Sequence, residues 1–138
     1  MQIHSIADGK FTANGVNEFW RTVDSINWPE RQDSVGIRED LIKSISPREA
    51  VRLRTIATFY MINLVSVFKT WQTAVGDSQS YDLFVLESLA SNIVGGGRLN
   101  YDEYYNNPKY VKADLSTVDI SNDFFLSLPS DENYYGSL

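Results

Sequence analysis

The chain has 138 residues, of which 43% are hydrophobic and 13% aromatic, enough to build the core of one globular domain and too many for a wholly disordered chain. It contains no cysteine, so disulfide bonds, thiol nucleophiles and cysteine-ligated zinc sites are excluded. The formal net charge of -6 and the sequence pI near 4.6 argue against nucleic acid as a partner, because a phosphate backbone repels an acidic protein.

The N-terminal segment, residues 1–15, is predicted to form a small β-hairpin. Asp8-Gly9 lies between two short runs, and glycine adopts the positive φ that a tight turn requires. Asn14-Gly15 is a second turn signal that would end this segment. The segment lacks the layout of a secretory signal, and its histidine, His4, is expected to be neither a metal ligand nor a catalytic base.

A helical body of about five helices is predicted over residues 16–110, because apolar residues recur there at intervals of three to four. The first helix would start at Val16, with Asn14 or Asn17 as its cap. A second apolar stripe covers residues 37–45. The fourth helix is predicted over residues 81–93 and the fifth over residues 100–106.

The third helix has the clearest start signal. Ser46 can cap the free N–H groups, Pro47 suits the first helical position, and Glu49 can close a capping box. The helix would run toward Ala74 and stop at Gly76, with a break near Asn63 or Ser66 left open. Its inward positions are predicted to be Val51, Ile56, Phe59, Ile62 and either Val67 or Phe68.

Residues 111–138 are predicted to be an acidic tail that is a strand, an extended segment packed on the body, or partly disordered. Its apolar islands are Val118, Ile120, Phe124, Phe125 and Leu126. Self-association through Phe124, Phe125 and Leu126, which would give a homo-oligomer, is left open.

Several short patterns occur in an order that is similar to a known family. Phe19-Trp20 opens the first helix, an L-x-x-x-I-S-x-x-E pattern precedes the third, and residues 101–111 read Tyr-x-x-Tyr-x-x-Asn-Pro-x-x-Val. Over about residues 16–111 the chain resembles a bacterial helical family catalogued as domain of unknown function 4240. It departs from that family at residues 75–80 and at Lys109, where acidic residues are replaced. The resemblance implies a mainly helical fold and no mechanism.

A glycine-rich run and a group of carboxylates could suggest a phosphate or metal site, but both are interpreted as structural features. Gly95-Gly96-Gly97-Arg98 lacks the Lys-Ser/Thr pair of a phosphate-binding loop and is interpreted as a helix end and turn. The carboxylates assigned to turns near a plausible pocket are Asp77, Asp82, Asp102 and Glu103. They lack the spacing of a metal site and are interpreted as solvated surface, so no metal or cofactor is expected.

Tyrosines concentrate late in the chain, where the charge is also most acidic. Residues 77–138 carry three Lys/Arg and ten Asp/Glu, a balance of -7, whereas residues 1–76 carry nine and eight, a balance of +1. Tyrosines beside carboxylates favour a binding surface, although half of these rings could instead pack in the core. The predicted partner-binding residues are Tyr101, Asp102, Glu103, Tyr104, Tyr105, Asp131, Glu132, Tyr134 and Tyr135.

The sequence therefore predicts a non-catalytic, cytoplasmic binding protein that neutralises or regulates a basic protein partner. A bacterial or phage-encoded immunity or inhibitor protein fits best, because such proteins are small and acidic. The alternative is a small-molecule-binding protein or small enzyme with a pocket near the glycine-rich turn and Asp77. A small basic cluster, Arg48, Arg52 and Arg54, is interpreted as an exposed helix side that meets the acidic tail. Neither a membrane nor nucleic acid is expected as a partner.

Overall fold

The computed structural model describes residues 11–26 and 43–115, and these ranges are helical with no strand. The five helices are α1 (Ala13–Ile26), α2 (Pro47–Val75), α3 (Leu83–Gly95), α4 (Arg98–Asn106) and α5 (Lys109–Asp114). The mainly α prediction is confirmed. The first ten residues of the predicted hairpin and most of the apolar stripe at 37–45 lie outside the described residues.

Helix α1 begins three residues earlier than predicted. The N–H of Gly15 donates to the side-chain oxygen of Thr12 at 3.1 Å, so Thr12 caps the helix in place of Asn14 or Asn17. Asn14-Gly15 therefore forms part of the first helical turn. The Arg52 side chain packs against this turn, since a Cβ on Gly15 would lie 2.4 Å from a guanidinium nitrogen of Arg52 and would displace that flexible side chain.

Helix α2 begins and ends where its local signals predict. The N–H of Glu49 donates to the Ser46 hydroxyl at 3.1 Å, and Pro47 occupies the first turn. Gly76 ends the helix at φ 75°, a conformation that glycine adopts without steric cost. All 29 residues between these caps form one continuous helix, so there is no break at Asn63 or Ser66.

The buried face of α2 differs in part from the predicted one. Ile56 and Phe68 are buried as expected, whereas Ile62 is 57% exposed. Val51, Phe59 and Val67 are only partly buried. The residues that face the core are Ala50, Leu53, Ile56, Ala57, Tyr60, Met61, Leu64 and Phe68. Residues 59–68 are apolar on nearly every side of the helix, so periodicity could not select the face that the other helices cover.

Helix α2 is the central element, since each of the other four helices packs against it. Its Tyr60 ring contacts Phe19 and Trp20 of α1 and Tyr101 of α4, with ring centroids 5.7, 4.8 and 5.0 Å away. Length and hydropathy alone would let α2 cross a membrane. Eight of its residues are buried, and the cytoplasmic location remains a prediction.

The glycine-rich turn joins α3 to α4 and brings both against α1. Gly97 has φ 99°, and a Cβ there would lie 2.5 Å from a carboxylate oxygen of Asp24. Helix α3 starts at its cap Asp82, which accepts the N–H of Phe84 at 2.8 Å.

Helix α5 corrects the predicted boundary of the tail. Residues 111–114 belong to this helix, and both Val111 and Leu115 are buried in the core. The tail that was predicted to start at residue 111 therefore contributes its first residues to the helical body.

Candidate functional site

The centre of the predicted tyrosine surface is buried. Tyr101 has no exposed surface, and Asp102 is 8% exposed. The Tyr101 ring packs against Trp20, Tyr60 and Tyr105. This outcome is the core alternative for these rings, so the assignment of Tyr101 and Asp102 to a partner-contacting surface is corrected.

Asp102 is used within the fold. Its two carboxylate oxygens accept from Nε of Arg98 at 3.2 and 3.1 Å. The same guanidinium donates to the Tyr60 hydroxyl at 3.4 Å and lies 5.6 Å from the centre of the Trp20 ring. A carboxylate with so little exposure needs a cationic partner, and Arg98 supplies it. The cluster thus links α1, α2 and α4.

Tyr104 also makes an internal contact. Its hydroxyl donates a short hydrogen bond to the carboxylate of Asp114, which attaches α5 to α4. Burial, with this hydrogen bond and the charge of Asp114, raises the pKa of the Tyr104 phenol to about 12. The ring is half-buried and meets Tyr110 edge to face.

The remaining predicted residues that the structure describes lie on different sides of α4. Tyr105 is half-buried and stacks on Tyr101 at 5.7 Å, which is a different side of α4 from Tyr104. Glu103 is exposed. Asp131, Glu132, Tyr134 and Tyr135 lie outside the described residues.

The described helices carry none of the net charge. Residues 11–26 and 43–115 contain nine Lys/Arg and nine Asp/Glu, a balance of zero. The total of -6 comes from residues 27–42, which contribute -2, and residues 116–138, which contribute -4. Of the -7 carried by residues 77–138, -3 lies in residues 77–115 and -4 in residues 116–138, and the described -3 is offset by +3 in residues 11–26 and 43–76.

Asp77, part of the alternative site, is also a structural residue. Its carboxylate accepts from Lys112 at 2.8 Å, from the Gln72 side chain at 3.2 Å and from the N–H of Gln79 at 3.1 Å. The hydrogen bond from Lys112 is the main cause of a lowered pKa at Asp77. These contacts fasten α5 to the turn that follows α2.

The glycine-rich turn is filled by side chains of the protein itself. Asn100 donates to the carbonyl of Ile93 at 2.9 Å, and its amide occupies the space beside Gly96. Asp24 occupies the space beside Gly97. Neither of the two grooves described below is lined by this turn.

The first groove lies between α2 and α3 and was not predicted. It has a volume of about 460 Å³ and a mostly apolar surface. Its lining residues are Thr58, Met61, Ile62, Val65, Ser66, Lys69, Thr70, Leu83 and Glu87. Ile62 is 57% exposed and Leu83 55% exposed, so two large apolar side chains face solvent across one groove.

Charged side chains stand on opposite walls of this α2–α3 groove. Lys69 belongs to α2 and Glu87 to α3. Neither side chain forms an ion pair within the described ranges. The sequence holds a signal for this surface, since Ile62, Val65 and Lys69 form a second stripe on a helix whose core face is already complete.

The second groove lies between α1 and the start of α2, with a volume of about 320 Å³. Its walls carry two bases and two acids, Arg21, Arg52, Glu18 and Glu49. Arg52 of the basic cluster thus faces α1, where its guanidinium packs beside Gly15. The lining of this groove therefore has no net charge.

Within residues 11–26 and 43–115, no three His, Cys, Asp or Glu side chains come together as a metal site. Comparison with known proteins finds no family model, no curated protein and no solved structure that matches this chain.

Proposed function

We propose that this protein is a non-catalytic binding protein that neutralises or regulates a protein partner, in the manner of bacterial or phage immunity and inhibitor proteins. The observation that supports this proposal is the apolar α2–α3 groove with Ile62 and Leu83 exposed on its walls. The partner would dock in this groove. The groove thereby replaces the predicted tyrosine surface as the centre of binding.

Ile62 and Leu83 gain free energy when a partner removes them from water. Burying an exposed isoleucine or leucine contributes roughly 1.5–3 kcal/mol for a complete transfer out of water. Ile62 and Leu83 leave more than half of their surface in water, so much of that free energy is available to association. Apolar anchors inside a polar rim are typical of the central part of a protein interface.

The charge outside the described helices bears on the choice of partner. A net charge of -6 favours encounter with a basic protein and raises the association rate at low salt. The groove would then supply most of the affinity, and the acidic segments would supply orientation and speed.

The test is capture of the partner with the wild-type chain and matched groove variants, followed by affinity measurement with the identified protein. Ile62→Glu and Leu83→Glu should weaken binding by roughly tenfold or more, because each places a carboxylate in an apolar contact. Leu99→Glu is the control, since Leu99 is 85% exposed on α4 and lies outside the groove. Circular dichroism should show the same helical fold for all three variants.

Capture that survives both groove substitutions would contradict the assignment of the groove. If the protein instead binds a small molecule, the α2–α3 groove is the site that fits, because its volume of about 460 Å³ is within the range of ligand pockets. A compound that raises the melting temperature of the wild-type chain, but not of Ile62→Glu, together with an empty capture experiment, would favour that alternative.

A further inference from the structure

We propose that the partner fills the α2–α3 groove with an amphipathic α-helix that places an acidic side chain against Lys69 and a basic one against Glu87. This inference rests on the proposed function and specifies the chemistry of the segment that the groove receives.

The walls of the groove favour a helix over an extended segment. Both walls are α-helices, α2 along its middle and α3 at its first turn, where Asp82 accepts the N–H of Phe84, so neither wall is the edge of a sheet. An extended peptide placed there would find no sheet edge with which to pair, and its own backbone groups would lose water without gaining partners. A helix satisfies its backbone internally and presents only side chains to the groove.

The dimensions of the groove fit about three helical turns. Its α2 wall extends from Thr58 to Thr70, which is about 18 Å along a helix axis. Its floor includes Met61, which is 3% exposed, while Ile62 and Leu83 rise on either side. Apolar side chains on one face of the incoming helix, spaced at i, i+3 or i+4, and i+7, would contact this strip.

The charges on the rim define the flanks of the incoming helix. Lys69 on the α2 wall is exposed and Glu87 on the α3 wall is half-buried, and neither forms an ion pair within the helices described here. A helix with acids along one flank and bases along the other would pair with both walls. Reversing that helix in the groove would place like charges together, so the two charges select one orientation.

Two synthetic peptides of equal composition, each about 14 residues long, test the inference. One repeats leucine at helical spacing, with acids on one flank and bases on the other. The second alternates the same residues in the pattern of a strand. Titrated into the isotope-labelled full chain, the helical peptide should shift the amide resonances of Val65, Lys69, Leu83 and Glu87 and gain helical circular dichroism. Equal binding of the two peptides, or shifts confined to another face, would overturn the inference.

Charge reversal tests the orientation. Lys69→Glu or Glu87→Lys alone should weaken the helical peptide severalfold, and the double variant should regain the affinity, because the same peptide bound in the reverse direction then meets both charges. Lys109→Glu is the control, since Lys109 is exposed on α5. Unchanged affinity of all the variants would overturn the charge assignment. If Ile62→Glu abolishes capture of the protein partner while neither peptide binds, the partner does not fill the groove with such a helix, and the proposed function stands.

Discussion

At the scale of single residues, Tyr104 has a property that can be measured directly. The pKa of its phenol is raised from 10.0 to about 12, chiefly by burial and then by the hydrogen bond to Asp114. Because the folded state holds the proton more tightly than the unfolded state, the stabilisation is complete below pH 10 and is lost as the pH rises toward 12. A spectrophotometric titration of the tyrosines should therefore show a late step that Tyr104→Phe removes. A wild-type titration without that late step would contradict the contact.

Tyr104 and its neighbours also show why the sequence could not tell which tyrosine rings are buried and which are exposed. Tyrosine has an apolar ring and a polar hydroxyl, so it suits both a core and an interface. Tyr101, Tyr104 and Tyr105 follow one another within two helical turns, yet Tyr101 is buried and the other two lie on different sides of α4. Which ring faces inward depends on where Trp20 and Tyr60 pack, and those contacts join distant parts of the chain.

At the scale of elements, local signals predicted the ends of helices well. Ser46, Pro47 and Gly76 act through hydrogen bonds and backbone angles within a few residues, so the bounds of α2 follow from the sequence. The inward face of α2 depended instead on the helices that cover it. Ile62 was expected to face the core and is exposed beside the groove, which explains why the groove was missed.

Helix α5 gives a prediction at this scale. A six-residue helix is not stable by itself, so α5 depends on its buried residue Val111 and on the contact of Lys112 with Asp77. Asp77→Asn should speed hydrogen exchange of the α5 amides, whereas Lys109→Met, at an exposed position, should leave it unchanged. Equal exchange in both variants would show that the ion pair does not hold α5.

The pH dependence of the same contact has a definite sign. The pKa of Asp77 is lowered from 3.8, so its contribution is present above that pH and is lost as the pH falls through the lowered value. The pKa of Lys112 is raised from 10.5 by the same hydrogen bond, so its contribution is fully present below pH 10.5 and is lost as the pH rises through the raised value. The difference in exchange between the wild type and Asp77→Asn should therefore be constant near neutral pH and disappear in acid.

At the scale of the whole molecule, charge and packing are separated along the chain. The net charge and its excess in residues 77–138 are counts from the sequence, whereas the pairing of the acids with bases inside the fold depends on the structure. Asp77 and Asp102 each pair with a base inside the fold. The helical body thus offers an apolar groove with two local charges, while the long-range field comes from other segments.

The core makes the last prediction, because Tyr60 joins three helices at one point. Its ring lies against Phe19, Trp20 and Tyr101 and has no exposed surface. Tyr60→Ala should lower the free energy of unfolding by about 3–5 kcal/mol, as for other large aromatic side chains removed from a core. Tyr60→Phe keeps the ring and removes the hydroxyl that accepts the long hydrogen bond from Arg98, and loss of that bond should cost about 1 kcal/mol.

Urea unfolding followed by tryptophan fluorescence and by far-ultraviolet circular dichroism measures both variants. If α1, α2 and α4 unfold as one unit through Tyr60, the two signals should change together in the wild type and in Tyr60→Phe. In Tyr60→Ala the midpoint should fall for both signals by the same amount. A fluorescence transition that separates from the helical one, or a cost of Tyr60→Ala no larger than that of Tyr60→Phe, would contradict a single core centred on this ring.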